Sequence, residues 1–282
     1  MASDSVQRFV FEQLNIRGRL VSLNRAWQRM LEGRNHPPEV AALLGHSTSL
    51  AVLLAANRKG TGRITLQVQG SGPVSLLVSD CDAELRIRGM ARFAPDRIAG
   101  HSERALLGDG RLALTLDDTT SGQLYQSLVP LEGESMAEIF EHYIARSEQV
   151  PTFLRLLADT RTLVGLLLEK QPGADARDAD GWSRVSQLAS TLGLDDARGA
   201  DPQVLLTRLF PGELLRVFPA DRVTYHCPYD PSKVEEMLRG LGRDEVEAIL
   251  AERGEIVIRN EMCNHEYRFD ADAVAALFGD TA

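Results

Sequence analysis

The sequence predicts an α+β fold. An antiparallel two-sheet N-terminal domain with covering helices spans 1–172, a helical connector spans 173–222, and a small C-terminal α/β module spans 223–282. Three observations predict it. Between 63 and 129, short runs alternate apolar and polar side chains, the period of half-buried strands. Residues 39–56 are too rich in Ala and Leu for a surface helix and read as a helix buried beneath a sheet. Residues 171–181, with Pro172, Gly173 and alternating Ala and Asp, have linker composition.

Taken in order, residues 8–23 read as a strand pair or as one strand bent through Gly18. A helix follows, with Ser22 or Asn24 as its cap and Ala26, Trp27, Met30 and Leu31 on one face. His36-Pro37-Pro38 ends that helix and starts the buried one. In 63–69, Ile64, Leu66 and Val68 alternate with Thr65, Gln67 and Gln69, and Gly70-Ser71-Gly72-Pro73 turns the chain into a returning strand at 74–81. Residues 84–93 alternate again. Residues 111–117 and 123–129 form an antiparallel pair around Thr119-Thr120-Ser121-Gly122.

Residues 134–149 make an amphipathic helix, with Ser135 and Glu138 as a capping box and Met136, Ile139, Phe140, Tyr143 and Ile144 as its apolar set. Pro151 stops it, and 153–156 and 163–168 are two further strands. In the connector, 182–192 and 202–210 are helical, each too short to be stable alone. In the tail, 231–241 and 243–252 are helical, Gly254 breaks the second, and 255–259 and 267–269 are short strands.

A formal charge of −9, from 31 basic and 40 acidic residues, argues against nucleic acid as a partner, because phosphate contacts need clustered Lys and Arg. No run of consecutive apolar residues reaches the length of a membrane span. Met1-Ala2-Ser3-Asp4-Ser5 lacks the basic start and apolar stretch of a secretory signal, so a cytoplasmic location is expected. Enzyme signals are missing: Lys59-Gly60-Thr61-Gly62 lacks the rest of a phosphate loop, and Gly108-Asp109-Gly110 reads as a turn. The histidines at 36, 46, 101, 142, 226 and 265 suggest no nucleophile-base pair by spacing.

Cysteine placement carries more information. Cys81 ends an apolar strand and reads as a small buried hydrophobe. Cys227 and Cys263 lie 36 positions apart in a tail with little core of its own. A closed structural zinc site needs four ligands, and the tail offers at most Cys227, Cys263 and His265. The ligand count therefore favours a reversible Cys227–Cys263 disulfide over a metal, with two inert cysteines as the third reading.

Several stretches together resemble the 33-kDa heat-shock protein (HslO) family. They include Phe9-Val10-Phe11-Glu12 with Arg17-Gly18-Arg19-Leu20-Val21, and Ile64-Thr65-Leu66-Gln67-Val68-Gln69-Gly70-Ser71-Gly72-Pro73. Arg88-Gly89-Met90-Ala91-Arg92, Leu131-Glu132-Gly133-Glu134, residues 143–152 and Gly254-Glu255-Ile256 extend the likeness over essentially the whole chain. The resemblance implies a redox-regulated, ATP-independent holdase chaperone of the stress response, which binds unfolded or misfolded client proteins as a homodimer.

Typical members of that family hold zinc through Cys-x-Cys and Cys-x-x-Cys. Laid on this pattern, Cys227 and Cys263 match the outer two cysteines, while Tyr229 and Asn260 stand where the inner two belong. Zinc is therefore not expected, no other cofactor is expected, and the switch reduces to one disulfide whose oxidation activates the chaperone. Trp182, Val185, Leu188, Leu205, Leu206 and Leu209 are the candidate cover of the client-binding surface. Two alternatives stay open: a thiol-dependent redox enzyme, and a constitutively active holdase without redox control.

Overall fold

The computed structural model describes residues 4–57, 62–118 and 122–279. Three stretches read above lie outside the described residues: Met1-Ala2-Ser3, the Lys59-Gly60-Thr61 of the incomplete phosphate loop, and the Thr119-Thr120-Ser121 of the turn at 119–122. Two compact units divide the chain, one ending at His226 and the other beginning at Cys227. The first takes in the residues read from the sequence as a connector.

The first unit opens with a hairpin, β1 (Ser5–Phe11) and β2 (Ile16–Leu23). Its turn lies at 12–15, where Asn15 takes a positive φ. Gly18 is therefore not a bend: it sits inside β2 opposite Phe9, and any Cβ there would run into the Phe9 ring. Helix α1 (Arg25–Leu31) buries Ala26, Trp27 and Met30 on one face. Asn24 precedes it without a side-chain cap; Asp4 instead accepts from the backbone N–H groups of Asn24, Arg25 and Ala26.

Helix α2 (Pro38–Ala55) begins with Pro38 in its first turn and is buried around most of its circumference. Two sheets account for that. The helix is packed between them, and at Gly45 it lies so close to Ala158 that a Cβ could not be accommodated. Its Thr48 hydroxyl is satisfied within the helix by the Leu44 carbonyl at 2.8 Å. It is the one described helix with the length and apolarity of a membrane span, and two-thirds of it is buried inside the unit.

On one side lies the second sheet. Its five longer strands are β3 (Arg63–Gly70), β4 (Val74–Asp82), β5 (Arg86–Phe93), β6 (Gly110–Asp118) and β7 (Gln123–Val129), ordered β5-β4-β3-β6-β7 and antiparallel to one another. A short helix, α3 (Glu103–Leu107), fills the looser stretch before β6. β7 is an edge strand that leaves Leu124, Tyr125 and Leu128 exposed.

Helix α4 (Met136–Ser147) buries Met136, Ile139, Phe140 and Ile144. Ser135 accepts from the Glu138 N–H, but Glu138 accepts from the N–H of Glu134 rather than Ser135, so the expected capping box is displaced by one residue.

On the other side of α2, β9 (Leu163–Lys170) pairs with β2 and β8 (Thr152–Ala158) pairs with β9, completing the first sheet. The continuous apolar run of β9 now has its reason. Leu163 and Leu167 face α2, while Val164, Leu166 and Leu168 face away, into a second apolar cluster.

That second cluster is closed by α6 (Gly181–Ser190), α7 (Leu194–Ala197) and α8 (Pro202–Leu209), three short helices, with α5 (Ala174–Arg177) against α6. The chain then returns to the sheets. β10 (Leu215–Val217) and β11 (Asp221–Arg222) pair with β1, and β12 (Thr224–Tyr225) adds to β5 in the unit's one parallel pairing among the described strands.

The second unit is smaller: helices α9 (Pro231–Leu241) and α10 (Arg243–Arg253), the hairpin β13 (Ile256–Asn260) and β14 (His265–Phe269), and α11 (Ala271–Leu277). Helix α11 has no counterpart in the sequence reading. Asp270 caps it by accepting from Ala273 N–H at 2.9 Å.

Candidate functional site

Two places carry the residues singled out by the sequence. In the second unit, Cys227 and Cys263 are joined in a disulfide with their Cα atoms 5.5 Å apart, within the ordinary span of such a bond. Cys227 lies ahead of α9, and Cys263 lies in the turn between β13 and β14. Asn260 builds that turn: its side-chain oxygen accepts from the N–H groups of Met262 at 3.0 Å and Cys263 at 3.2 Å. Asn264, at a positive φ, accepts from the Arg259 guanidinium.

Tyr229 has a different occupation. Its ring stacks on Tyr267 with centroids 4.7 Å apart and planes 12° from parallel, and it lies 5.6 Å from His265. The Tyr267 hydroxyl accepts from the Asp230 N–H at 3.2 Å, tying the segment before α9 to β14. Sequence spacing alone held no sign of this aromatic contact, because it is made across 38 positions.

The donor set does not fit a four-ligand zinc centre. Both thiols are spent on each other, Asn260 is a turn cap, and Tyr229 is a packing ring. Among the described residues, no group of three or more His, Cys, Asp and Glu side chains is placed to hold a metal ion. Cys81, the third cysteine, is fully buried; burial and the neighbouring Asp82 and Asp80 push its thiol far above the ordinary range, so it carries no thiolate chemistry.

The second place is the cover over the first sheet. Val185 of α6 and Leu205, Leu206 and Leu209 of α8 are buried, with Trp182 and Leu188 half-buried beside them. All six belong to one cluster with Phe9, Phe11, Ile16, Leu20, Val164 and Leu166 of the sheet. Phe210 was not singled out, although it anchors the end of α8 edge-on to Phe11 at 4.9 Å. Its only sequence signal is its place at the close of a helical segment.

Polar ties at the rim hold the cover in register. Arg184 bridges Asp178 at 2.9 Å and Glu213 at 2.7 Å, and these partners hold its guanidinium above its ordinary pKa. Arg198 spans Asp159 and Asp195 at 2.5 Å each, and Arg155 donates to the Leu192 carbonyl at 3.2 Å. Ion pairs this exposed orient the helices more than they stabilise them. The arrangement is an apolar sheet face closed by short helices.

Comparison with known proteins agrees over the whole length. The sequence model of the family described as Hsp33 protein matches residues 4–270. The 33 kDa chaperonin of Methylobacillus flagellatus is 38% identical over 278 residues, covering 98% of this chain and 94% of that protein. The 33 kDa chaperonin of Shewanella loihica is 35% identical, covering 99% and 96%. A crystal structure of the 33 kDa chaperonin HSP33 from Thermotoga maritima superimposes with a TM-score of 0.77 at 19% identity, covering 97% of each chain, and so shares the fold.

Proposed function

The chain belongs to the Hsp33 protein family of chaperones, and on that premise we propose that it works as an ATP-independent holdase. It captures unfolding proteins on apolar surface and keeps them from aggregating. The observation that carries this reading is the cover of α6 and α8 over the apolar face of the first sheet. Helices of ten and eight residues are below the length that is stable in isolation, so their order depends on the packing beneath them. Local opening of such elements costs less than global unfolding and releases a contiguous apolar face that other exposed apolar chains can occupy.

In this reading Trp182, Val185, Leu188, Leu205, Leu206 and Leu209 are the lid residues, and Phe9, Phe11 and Leu20 belong to the surface they guard. Leu124, Tyr125 and Leu128 on the edge of the second sheet add apolar surface that is exposed without any opening. The chain has no catalytic residue, takes no cofactor, and acts in the cytoplasm as a homodimer when active, on protein clients rather than nucleic acid or membrane. Its redox element is the Cys227–Cys263 disulfide.

The test is light scattering from a heat- or urea-unfolded client without nucleotide. Near-stoichiometric protein, in its reduced or its peroxide-treated form, suppresses the scattering. Absence of suppression in both forms would sink the holdase reading, and turnover of a peroxide or disulfide substrate would replace it with a thiol enzyme.

A further inference from the structure

The second unit has a core of seven buried side chains besides Cys263, from Leu238 and Val246 on its helices to Tyr267 and Phe269 on its hairpin. Met237, Leu241 and Val257 stay exposed, and neither α9 nor α10 has a side-chain cap at its N-terminus. A module of this size needs a covalent or metal staple, since its core alone does not offset the entropy of ordering it. The metal is excluded by the donor set, because Tyr229 and Asn260 are committed to packing and to the turn. What remains is the disulfide, which joins the segment before α9 to the β13–β14 turn and so encloses α9, α10 and β13 in one loop.

We propose that the Cys227–Cys263 disulfide is the closed state of this module, and that reduction, rather than oxidation, opens it. The chemistry is ordinary thiol–disulfide exchange. A dithiol reductant attacks one sulfur as its thiolate, forms a mixed disulfide, and closes on itself. Two electrons and two protons pass to Cys227 and Cys263, and the reagent leaves as a cyclic disulfide. In the other direction hydrogen peroxide takes two electrons and two protons from the two thiols, leaving the disulfide and two waters.

Cross-linking a loop of this length shifts the opening equilibrium by up to about a thousandfold through chain entropy. Oxidation therefore tightens the module, the reverse of the sense expected from the family resemblance. Reduction exposes its apolar core, including Tyr267 and Phe269, to solvent. That this raises client capture rests on the holdase reading; that the module opens does not.

The experiment treats the full chain with dithiothreitol or with hydrogen peroxide and maps limited proteolysis by mass spectrometry, beside the client-scattering assay. Cleavage within 227–279 is expected to be at least roughly tenfold faster in the reduced protein. The double variant Cys227→Ser, Cys263→Ser matches the reduced wild type under both treatments, and zinc ions added to the reduced chain leave the cleavage rate unchanged. Equal protection in the two redox states, faster cleavage after peroxide, or protection restored by zinc would each overturn the proposal. A cleavage difference without client suppression in either state would leave this proposal standing and remove the holdase reading instead.

Discussion

The first sheet has two buried faces, and they are covered by helices of unequal standing. On one, α2 runs eighteen residues and is held from behind by a second sheet, so no side of it can leave without disrupting both layers. On the other, α6 and α8 run ten and eight residues and turn exposed side chains outward, Ser183, Arg184 and Gln187 on one, Gln203, Val204 and Thr207 on the other. The apolar chemistry of the two faces is alike. The difference lies in length and in backing, and on the proposed function it separates a permanent core from a removable cover.

The largest expected effect is on the permanent face. Trp27 is fully buried and its indole N–H donates to the Asp159 carbonyl at 2.6 Å. Trp27→Ala is expected to cost about 3–5 kcal/mol, seen as a large drop in the global melting temperature. A change below about 1 kcal/mol would mean that this layer is not the permanent one.

Next comes the cover. Leu206→Ala removes a fully buried side chain from α8 and is expected to cost about 2–4 kcal/mol of local stability. Its signature is loss of order in α6 and α8 with higher client capture, while the global melt moves less than for Trp27→Ala. If the whole chain melts as a unit instead, the cover is not separable.

Gly18→Ala is the subtler version of the same test. The new Cβ displaces the Phe9 ring, which packs 6.1 Å from Phe210 beneath the cover, and overpacking of this kind costs about 1–3 kcal/mol. Scattering assays should again show higher capture, and an unchanged assay would place Phe9 outside the captured surface.

The last effect is a pH response confined to the permanent side. Burial, with the nearby Arg34 charge, lowers the His36 pKa to about 4. Protons then bind the unfolded chain more readily than the folded one, so His36 erodes stability as pH falls from about 6.5 and its contribution levels off below about 4. His36→Gln should flatten the melting temperature between those pH values. A wild-type profile already flat there would contradict the assignment.

Much of this architecture was legible in the sequence, and the legible parts share a cause. α2 announced itself because a helix buried between two sheets is rich in Ala and Leu, here on either side of Gly45-His46-Ser47-Thr48-Ser49, and β3 to β6 did so because one-sided burial imposes alternation. α6 and α8 were visible as helices, and the six apolar residues named on them lie on their buried or half-buried side. What escaped depends on partners distant in sequence. β10, β11 and β12 have only two or three residues each and exist because β1 and β5 offer free edges.

Gly18 was open to a bend reading because its real reason, the Phe9 ring, lies across the hairpin. The two thiols were readable as a pair, but the stacking of Tyr229 on Tyr267 and the turn built by Asn260 were not. The stacking is tertiary, made between residues whose pairing no local pattern announces.

Hydrogen exchange on the full chain, with and without an unfolded client, tests the distinction between core and cover most directly. Amides of Gly181–Ser190 and Pro202–Leu209 are expected to exchange far faster than those of Pro38–Ala55, and bound client is expected to slow exchange in β1, β2 and β9 on the face beneath α6 and α8. Equal protection of α2, α6 and α8, with no change in those strands on client binding, would contradict it.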